Sequence, residues 1–321
     1  MATKDVLSFL ASGDWVSGEE MAEKLAVSRA AVWKQIQVLR KRGYDISSST
    51  RKGYRLEGMP DLMDADRIKS NLRTLWLGKD LRVYDEVQST NATALLAIRD
   101  SPNGRVILAE TQVQGRGRLT RPWASPPGGI WMSLVLKPKI PLSQVGRINM
   151  AVGVALCRTI SSLFSLQAGI KWPNDLLVGE QKICGILTEI GAQADQLDYA
   201  VVGVGLNVNN DSSSFPSEWK ATSLATELDR KIDRCELIAR ILEETEAAID
   251  NMNSPDIYEE WRSISLTLNK QVRISSYSGD LEGEVVDLAE DGALLLRQGQ
   301  ELKRVLAGDC IHLRPQDSRA Q

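Results

Sequence analysis

Apolar residues in the first sixty positions recur at helical intervals. Val6, Leu7 and Leu10 form one stripe, Met21, Ala22 and Leu25 a second, and Ala31, Val32, Ile36 and Leu39 a third. Each stripe predicts one buried face of a short amphipathic helix. Ser17, three residues before Glu20, has the spacing of a capping box at the start of the second helix. Ala26-Val27 reads as a tight turn, Ser28 as the cap of the third helix, and Gly43 as its end. The period then changes to that of strands at Tyr44-Asp45-Ile46 and Gly53-Tyr54-Arg55-Leu56, joined by the polar run 47–52. Helix, turn, helix and hairpin in this order predict a winged helix-turn-helix.

Met59-Pro60-Asp61-Leu62-Met63 has linker character, and Ala65, Ile68, Leu72 and Leu75 predict a helix over 64–76. Beyond residue 80 the two periods alternate. Strands are expected at 81–85, 106–109, 131–136, 183–189 and 199–206, and helices at 91–99, 145–163 and 234–252. Strands outnumber helices and several are adjacent, so the fold class is α+β with a mixed sheet. Short strands at 271–274, 283–287 and 293–296, broken by turns at Ser278-Gly279-Asp280 and Glu290-Asp291-Gly292, predict a small SH3-like β barrel. The expected domains are 1–60, 64–268 and 269–321.

Composition narrows the class. Of 321 residues, 43% are hydrophobic and 25% charged, as in a globular protein. No apolar run is long enough to cross a bilayer and no signal peptide opens the chain, so a cytoplasmic location is expected. Cys157, Cys184, Cys235 and Cys310 are widely spaced and predict buried thiols, not a disulfide framework or zinc site. His312 is the single histidine, which argues against histidine-based triads and His-rich metal centres. Net charge is −3, yet residues 1–60 hold ten basic and seven acidic side chains. The third helix carries Arg29, Lys34, Arg40, Lys41 and Arg42 and no acid. A basic head on an acidic body predicts an anionic partner. Ser28, Arg29, Trp33, Lys34 and Gln37 are the candidates to meet a DNA major groove, with Arg51 and Lys52 on the wing gripping phosphates.

The densest chemistry lies at 112–123, Gln-Val-Gln-Gly-Arg-Gly-Arg-Leu-Thr-Arg-Pro-Trp. Glycines on both sides of Arg116 disfavour regular structure and predict a flexible cationic loop. Arg116, Arg118 and Arg121 suit a phosphate, which guanidinium groups hold in a bidentate fork. Four other clusters sit at expected strand ends. Ser89-Thr90-Asn91 reads as a ligand-facing group or a plain helix cap. Lys171-Trp172-Pro173-Asn174-Asp175 is a proline-fixed turn with two polar side chains in register. Lys182 enters an apolar strand beside Gly185, as an anion contact or an edge-strand gatekeeper. Gly203 and Gly205 leave room for a flat ligand ahead of Asn207 and Asn209, and no helix follows as a Rossmann motif requires.

Together and in this order the clusters resemble the biotin protein ligases. Gly-Arg-Gly-Arg-x-x-Arg-x-Trp, Lys-Trp-Pro-Asn-Asp, Lys-x-x-Gly-Ile and Gly-x-Gly-x-Asn are matched across 85–210, and the basic winged helix makes the whole similar to the bifunctional ligase and biotin-operon repressor class. One departure is Thr120, where the family often has glycine. The resemblance implies ATP and Mg2+ as cofactors, biotin as substrate and biotinyl-5′-adenylate as intermediate. It implies a biotin carboxyl carrier protein (an acetyl-CoA carboxylase subunit) as acceptor, operator DNA as partner, and a homodimer in the adenylate-bound state. Lys182, Arg118, Arg121 and Asp175 become catalytic candidates, Asp175 also as a metal ligand. Ser89, Thr90, Asn91, Gln112, Gly115, Arg116, Arg118, Trp123, Lys182, Gly185 and Gly203 become biotin contacts. Arg118, Arg121, Lys171, Asn174, Asn207 and Trp219 become adenylate contacts. A lipoate or octanoate ligase and a non-catalytic biotin sensor are the competing readings.

Overall fold

The computed structural model describes residues 2–41, 43–211, 215–276 and 279–313. Arg42 and Ser278, named above, lie outside them, as do positions 314–321 of the expected third segment. The chain divides into two compact units, Met1–Leu62 and Met63–Gln321.

The first unit has α1 (Ala2–Leu10), α2 (Gly18–Lys24), α3 (Arg29–Lys41), β1 (Asp45–Ser49) and β2 (Gly53–Gly58). The expected stripes form its core: Val6, Leu10, Met21, Val32, Ile36, Leu39 and Ile46 are buried together. Ser17 Oγ accepts the Glu19 N–H at 3.2 Å and caps α2, but it does not reach the Glu20 N–H and the Glu20 carboxylate pairs with Lys24 at 2.8 Å, so a simple cap stands where the capping box was expected. Ser28 Oγ accepts the Ala31 N–H and caps α3 as expected. Residues 47–49, expected in the connection, belong to the hairpin because Ser47 pairs with Arg55 and Ser49 with Gly53. Gly53 has φ +94°, and a Cβ there would lie 2.1 Å from the Val16 carbonyl oxygen. This glycine lets β2 pass close to residue 16.

The second unit opens with α4 (Ala65–Asn71), capped by Asp64. The helix is shorter than 64–76 because the buried Glu246 carboxylate accepts the N–H groups of Leu75, Trp76 and Leu77 at 2.6–2.8 Å and draws that backbone out of helical conformation. β3 (Leu81–Val87), α5 (Thr90–Leu96), β4 (Val106–Gln112), β5 (Ile130–Leu136) and α6 (Val145–Phe164) follow. Next come β6 (Ala168–Lys171), β7 (Asp175–Val178), β8 (Gln181–Gln193) and β9 (Gln196–Leu206). α7 (Leu224–Leu228), α8 (Arg234–Asp250) and α9 (Pro255–Ser263) complete the central part. Its seven-stranded sheet has the order β3-β4-β5-β9-β8-β7-β6. Only β3 and β4 run parallel; the other pairs are antiparallel, giving the mixed sheet that was expected.

β9 shows how the sheet is divided. Ala200, Val202, Val204 and Leu206 enter the main core with α6 and α8. Val201, on the opposite face, packs with Ile107, Val135 and Ala94 of α5. Gly203 and Gly205 continue that second face. Five antiparallel strands end the chain: β10 (Gln271–Ser276), β11 (Gly279–Leu288), β12 (Leu294–Gln298), β13 (Glu301–Val305) and β14 (Asp309–His312), in the order β13-β12-β11-β10-β14. Their buried Val272, Ile274, Val285, Leu288, Leu294 and Leu296 join the core of the central sheet.

Candidate functional site

On the α5 side of the sheet lies a cavity of about 490 Å³. One part of its wall is neutral and hydrogen-bonded. Ser89 stands at the N-cap position of α5 but makes no side-chain capping bond, so it is not a plain helix cap. The N–H of Thr90 at the start of the helix is met instead by Gln112 Oε1 at 2.8 Å. Gln112 Nε2 donates to Ser125 Oγ at 2.7 Å. Ser89, Thr90, Asn91 and Gln112 all line the cavity.

Trp123 covers the next part. A Cβ on Gly205 would sit 2.5 Å from its Nε1, and one on Gly185 3.0 Å from its ring. A Cβ on Gly203 would sit 2.5 Å from Asn91 Oδ1. The glycines expected to make room for a flat ligand thus first make room for an indole and an amide that wall the cavity. Gly115 serves a tight backbone approach: its carbonyl accepts the Trp123 N–H at 2.9 Å, and a Cβ would lie 2.4 Å from the Trp123 oxygen. The glycine-bracketed segment is an ordered narrow hairpin. Gln112 bridges Ser125, Arg116 bridges Pro122, and the Gly117 N–H donates to the Arg121 carbonyl. At its tip Leu119 and Thr120 have φ of 52° and 59°, left-handed values that favour glycine. Thr120 therefore occupies a position where the glycine of the family pattern carries no steric cost.

The remaining wall is charged. Lys182 Nζ is 2.6 Å from Asp175 Oδ1 and 4.9 Å from the centre of the Trp123 ring. A β-bulge sets this geometry. Leu176 pairs with Cys184 but Leu177 with Lys182, which leaves Ile183 as an extra residue buried in the core. Without it, Lys182 and Gly185 would point to opposite faces; with it both face the cavity. Arg118 Nη1 donates to the Gly308 carbonyl at 3.1 Å, and Arg121 pairs with Asp309. Burial pushes the Arg118 guanidinium below its usual value, opposed by Asp309 and Asp175. The last β-sheet thus reaches the site through Asp309, which lines the cavity and for which the sequence carried no signal.

Lys171, Asn174, Asn207 and Trp219 also line the cavity. Lys171 and Asn174 flank the cis Trp172–Pro173 bond. The Asn174 amide donates to the Ile186 carbonyl, and buried Asn207 Oδ1 accepts from Asn210. Trp219 stands 5.9 Å from Phe215, another lining residue absent from the sequence-based set. The Arg116 side chain is exposed, while its backbone closes the hairpin. Among the described residues no group of three carboxylate, thiol or imidazole side chains converges on a metal position. Asp175, already paired with an ammonium, suits a single bond to an ion carried in on a polyphosphate.

In the first unit the capping Ser28 and, on α3, Arg29, Trp33 and Lys34 are exposed, and Gln37 is half-buried. Arg40 donates twice to the Ile46 carbonyl and braces the wing. Arg51 and Lys52 are exposed at the wing turn, Lys52 lying 5.9 Å over the Trp15 ring.

Three family models match the chain in series. An HTH domain covers residues 3–55, the biotin/lipoate A/B protein ligase family covers 83–207, and the biotin protein ligase C-terminal domain covers 267–313. The fold and site thus define a ligase of the biotin and lipoate class carrying a helix-turn-helix. The chain is 36% identical to the bifunctional ligase/repressor BirA of Bacillus spizizenii, over 95% of this chain and 97% of that one. It is 28% identical to BirA of Escherichia coli, over 95% of each. A biotin protein ligase of Aquifex aeolicus, solved in complex with biotin and ATP, superposes with a TM-score of 0.63 at 27% identity, covering 74% of this chain and 99% of that one. The chain belongs to the biotin protein ligase family, with the bifunctional ligase/repressors among its relatives. No described helix is long and apolar enough to cross a membrane.

Proposed function

We propose that this protein activates biotin with Mg2+-ATP to biotinyl-5′-AMP, passes biotin to one lysine of a biotin carboxyl carrier protein, and represses transcription as an adenylate-bound homodimer on operator DNA. The observation that carries the ligase reading is Lys182, held by Asp175 at 2.6 Å over the Trp123 ring, in one cavity with Arg118 and Arg121. A carboxylic acid with a pKa near ~4–5 is ionised at neutral pH, so attack on the α-phosphorus needs no base. It needs two anions brought together and the developing charge compensated. Lys182 stands between carboxylate and α-phosphate. Arg118 and Arg121 draw off charge as pyrophosphate leaves. The hairpin that carries them shields the mixed anhydride from water.

The neutral wall of Ser89, Thr90 and Gln112, with the backbone at Arg116, takes the ureido ring. Trp123, Gly185 and Gly203 flank the acyl chain. Lys171, Asn174, Asn207 and Trp219 face the adenylate. Asp175 orients Lys182 and offers one oxygen to Mg2+ arriving on ATP. In the second step the carrier amine attacks the acyl carbon and AMP leaves. Ser28, Arg29, Trp33, Lys34, Gln37, Arg51 and Lys52 face operator DNA.

The test is pyrophosphate exchange into ATP with biotin, with lipoate and with no acid. Exchange that requires biotin and falls at least ~100-fold in Lys182→Ala is expected, the scale of losing one transition-state charge contact. Exchange driven by lipoate would reassign the substrate.

A further inference from the structure

Lys171, Asn174 and Asp175 of the 171–175 turn line the cavity, and Trp172 does not. Its side chain is buried in the core that the central sheet shares with the C-terminal strands. Both of its N–H groups are committed to residues remote in the chain. The indole Nε1–H donates to the Gly292 carbonyl at 2.9 Å, and the backbone N–H donates to Thr267 Oγ1 at 3.0 Å.

Both acceptors are themselves fixed. Gly292 closes the turn between β11 and β12, with φ +87° and its N–H donating to the Ala289 carbonyl at 2.9 Å. The neighbouring Asp291 carbonyl lies so close to Gly146, at the start of α6, that a Cβ on that glycine would stand 2.0 Å from it. Thr267 is fully buried, with its Oγ1 3.1 Å from His312 Nε2 of β14. The chain leading to Thr267 is laced to β6. The Ile170 N–H donates to the Ile264 carbonyl and the Leu266 N–H to the Ile170 carbonyl, each at 2.9 Å.

The 171–175 turn is thus held on two flanks. At Asn174 the hold comes from β8, since the Ile186 N–H donates to the Asn174 carbonyl and the Asn174 amide donates back to the Ile186 carbonyl. Pro173 has no N–H to contribute. At Trp172 the hold comes from the C-terminal sheet and the segment that enters it.

We propose that Trp172 is a positioning residue through which the C-terminal sheet fixes the 171–175 turn from behind, and that this brace governs the ATP end of the cavity and not the end that takes the ureido ring. The inference rests on the ligase reading, in which Lys171 and Asn174 face the adenylate and Asp175 orients Lys182. The neutral wall of Ser89, Thr90 and Gln112 stands on other elements, at the start of α5 and on β4.

The experiment measures pyrophosphate exchange against ATP and against biotin separately, with the Kd for biotin from calorimetry, on full-length variants. Trp172→Phe keeps a ring in the core and removes the indole N–H. It is expected to raise the KM for ATP and lower the maximal exchange rate by about fivefold or more each, the scale of one hydrogen bond, while the Kd for biotin stays within about threefold. Thr267→Val is expected to act in the same direction and Thr267→Ser to retain wild-type values. Tyr258→Phe is the control for attachment of the sheet as such. It removes a 2.7 Å bond to the Leu288 carbonyl of β11 without touching the turn, and both ATP parameters should hold. Should Trp172→Phe fail to fold, the Thr267 pair decides. Unchanged ATP parameters in Trp172→Phe and Thr267→Val overturn the inference. So does an equal loss for ATP and biotin, or a Tyr258→Phe that reproduces the Trp172→Phe defect. A wild type without biotin-dependent exchange overturns the functional reading itself, and exchange driven by another acid leaves the brace testable with that acid.

Discussion

His312 is half-buried on β14, with its Nε2 3.1 Å from Thr267 Oγ1. Thr267 Oγ1 accepts the Trp172 N–H, so the imidazole stands one residue's reach from the Lys171–Asp175 turn. Burial, with Lys171 and Lys270 adding repulsion, pushes its pKa down to about 4 from an ordinary value near 6.5. The unfolded chain therefore binds a proton that the folded chain refuses between those values. With more protons on the unfolded state, stability rises with pH across this window, is complete above 6.5 and is lost as pH falls toward 4. Urea midpoints of wild type and His312→Gln measured from pH 4 to 7 are expected to converge at low pH, the wild type losing more on acidification. Parallel curves would show that the imidazole is not held neutral.

At the scale of elements, β8 and β9 decide the site. Gly185 pairs with Gly205, and Trp123 lies over both. In Gly205→Ala the new Cβ starts 2.5 Å from the indole Nε1 and the ring must lift from the sheet. Overpacking of this kind costs about 1–3 kcal/mol. Its sharper consequence is at Lys182, whose ammonium rests on that ring. The KM for biotin and the exchange rate should both suffer by about tenfold or more, whereas alanine at Gly179, where φ is +59° and nothing lies within 4 Å of a Cβ, should cost some stability through backbone strain and change neither. These glycines were legible as a motif, and so were Lys182, Arg118 and Arg121, because their chemistry is local. The helix stripes and the long strands were legible for the same reason. The bulge was not. Alternation alone puts Lys182 and Gly185 on opposite faces, and only the pairing with β7 reveals Ile183 as the extra residue. β6 and β7, four residues each, were too short to show a period. Asp309 is an isolated residue whose partner Arg121 is remote in sequence, so its place in the site appears only once the sheets are assembled.

Among the described residues the two units share no core member. Val6, Leu10, Met21, Val32, Ile36, Leu39 and Ile46 close the first, while the second joins the seven-stranded sheet to the five C-terminal strands. Each unit buries its own apolar surface, the condition for folding alone. A protein reduced to Met63–Gln321 is therefore expected to keep biotin-dependent exchange and to lose operator binding. Loss of exchange in a folded fragment would mean that the catalytic geometry depends on the first unit. The basic surface of that unit makes a separate, quantitative demand. If Arg29, Lys34, Arg51 and Lys52 touch phosphates, each alanine substitution lowers the slope of log K against log salt by about 1. It weakens all sequences alike. Trp33 and Gln37 carry no charge, so substitutions there should leave the slope intact and change the preference among operators. Biotin with ATP should tighten operator binding in full-length protein but not in Lys182→Ala, because only the adenylate, and not its separate precursors, spans the Lys182 and arginine walls of the cavity at once. Operator affinity that responds to biotin alone would place the signal in the neutral wall and detach repression from catalysis.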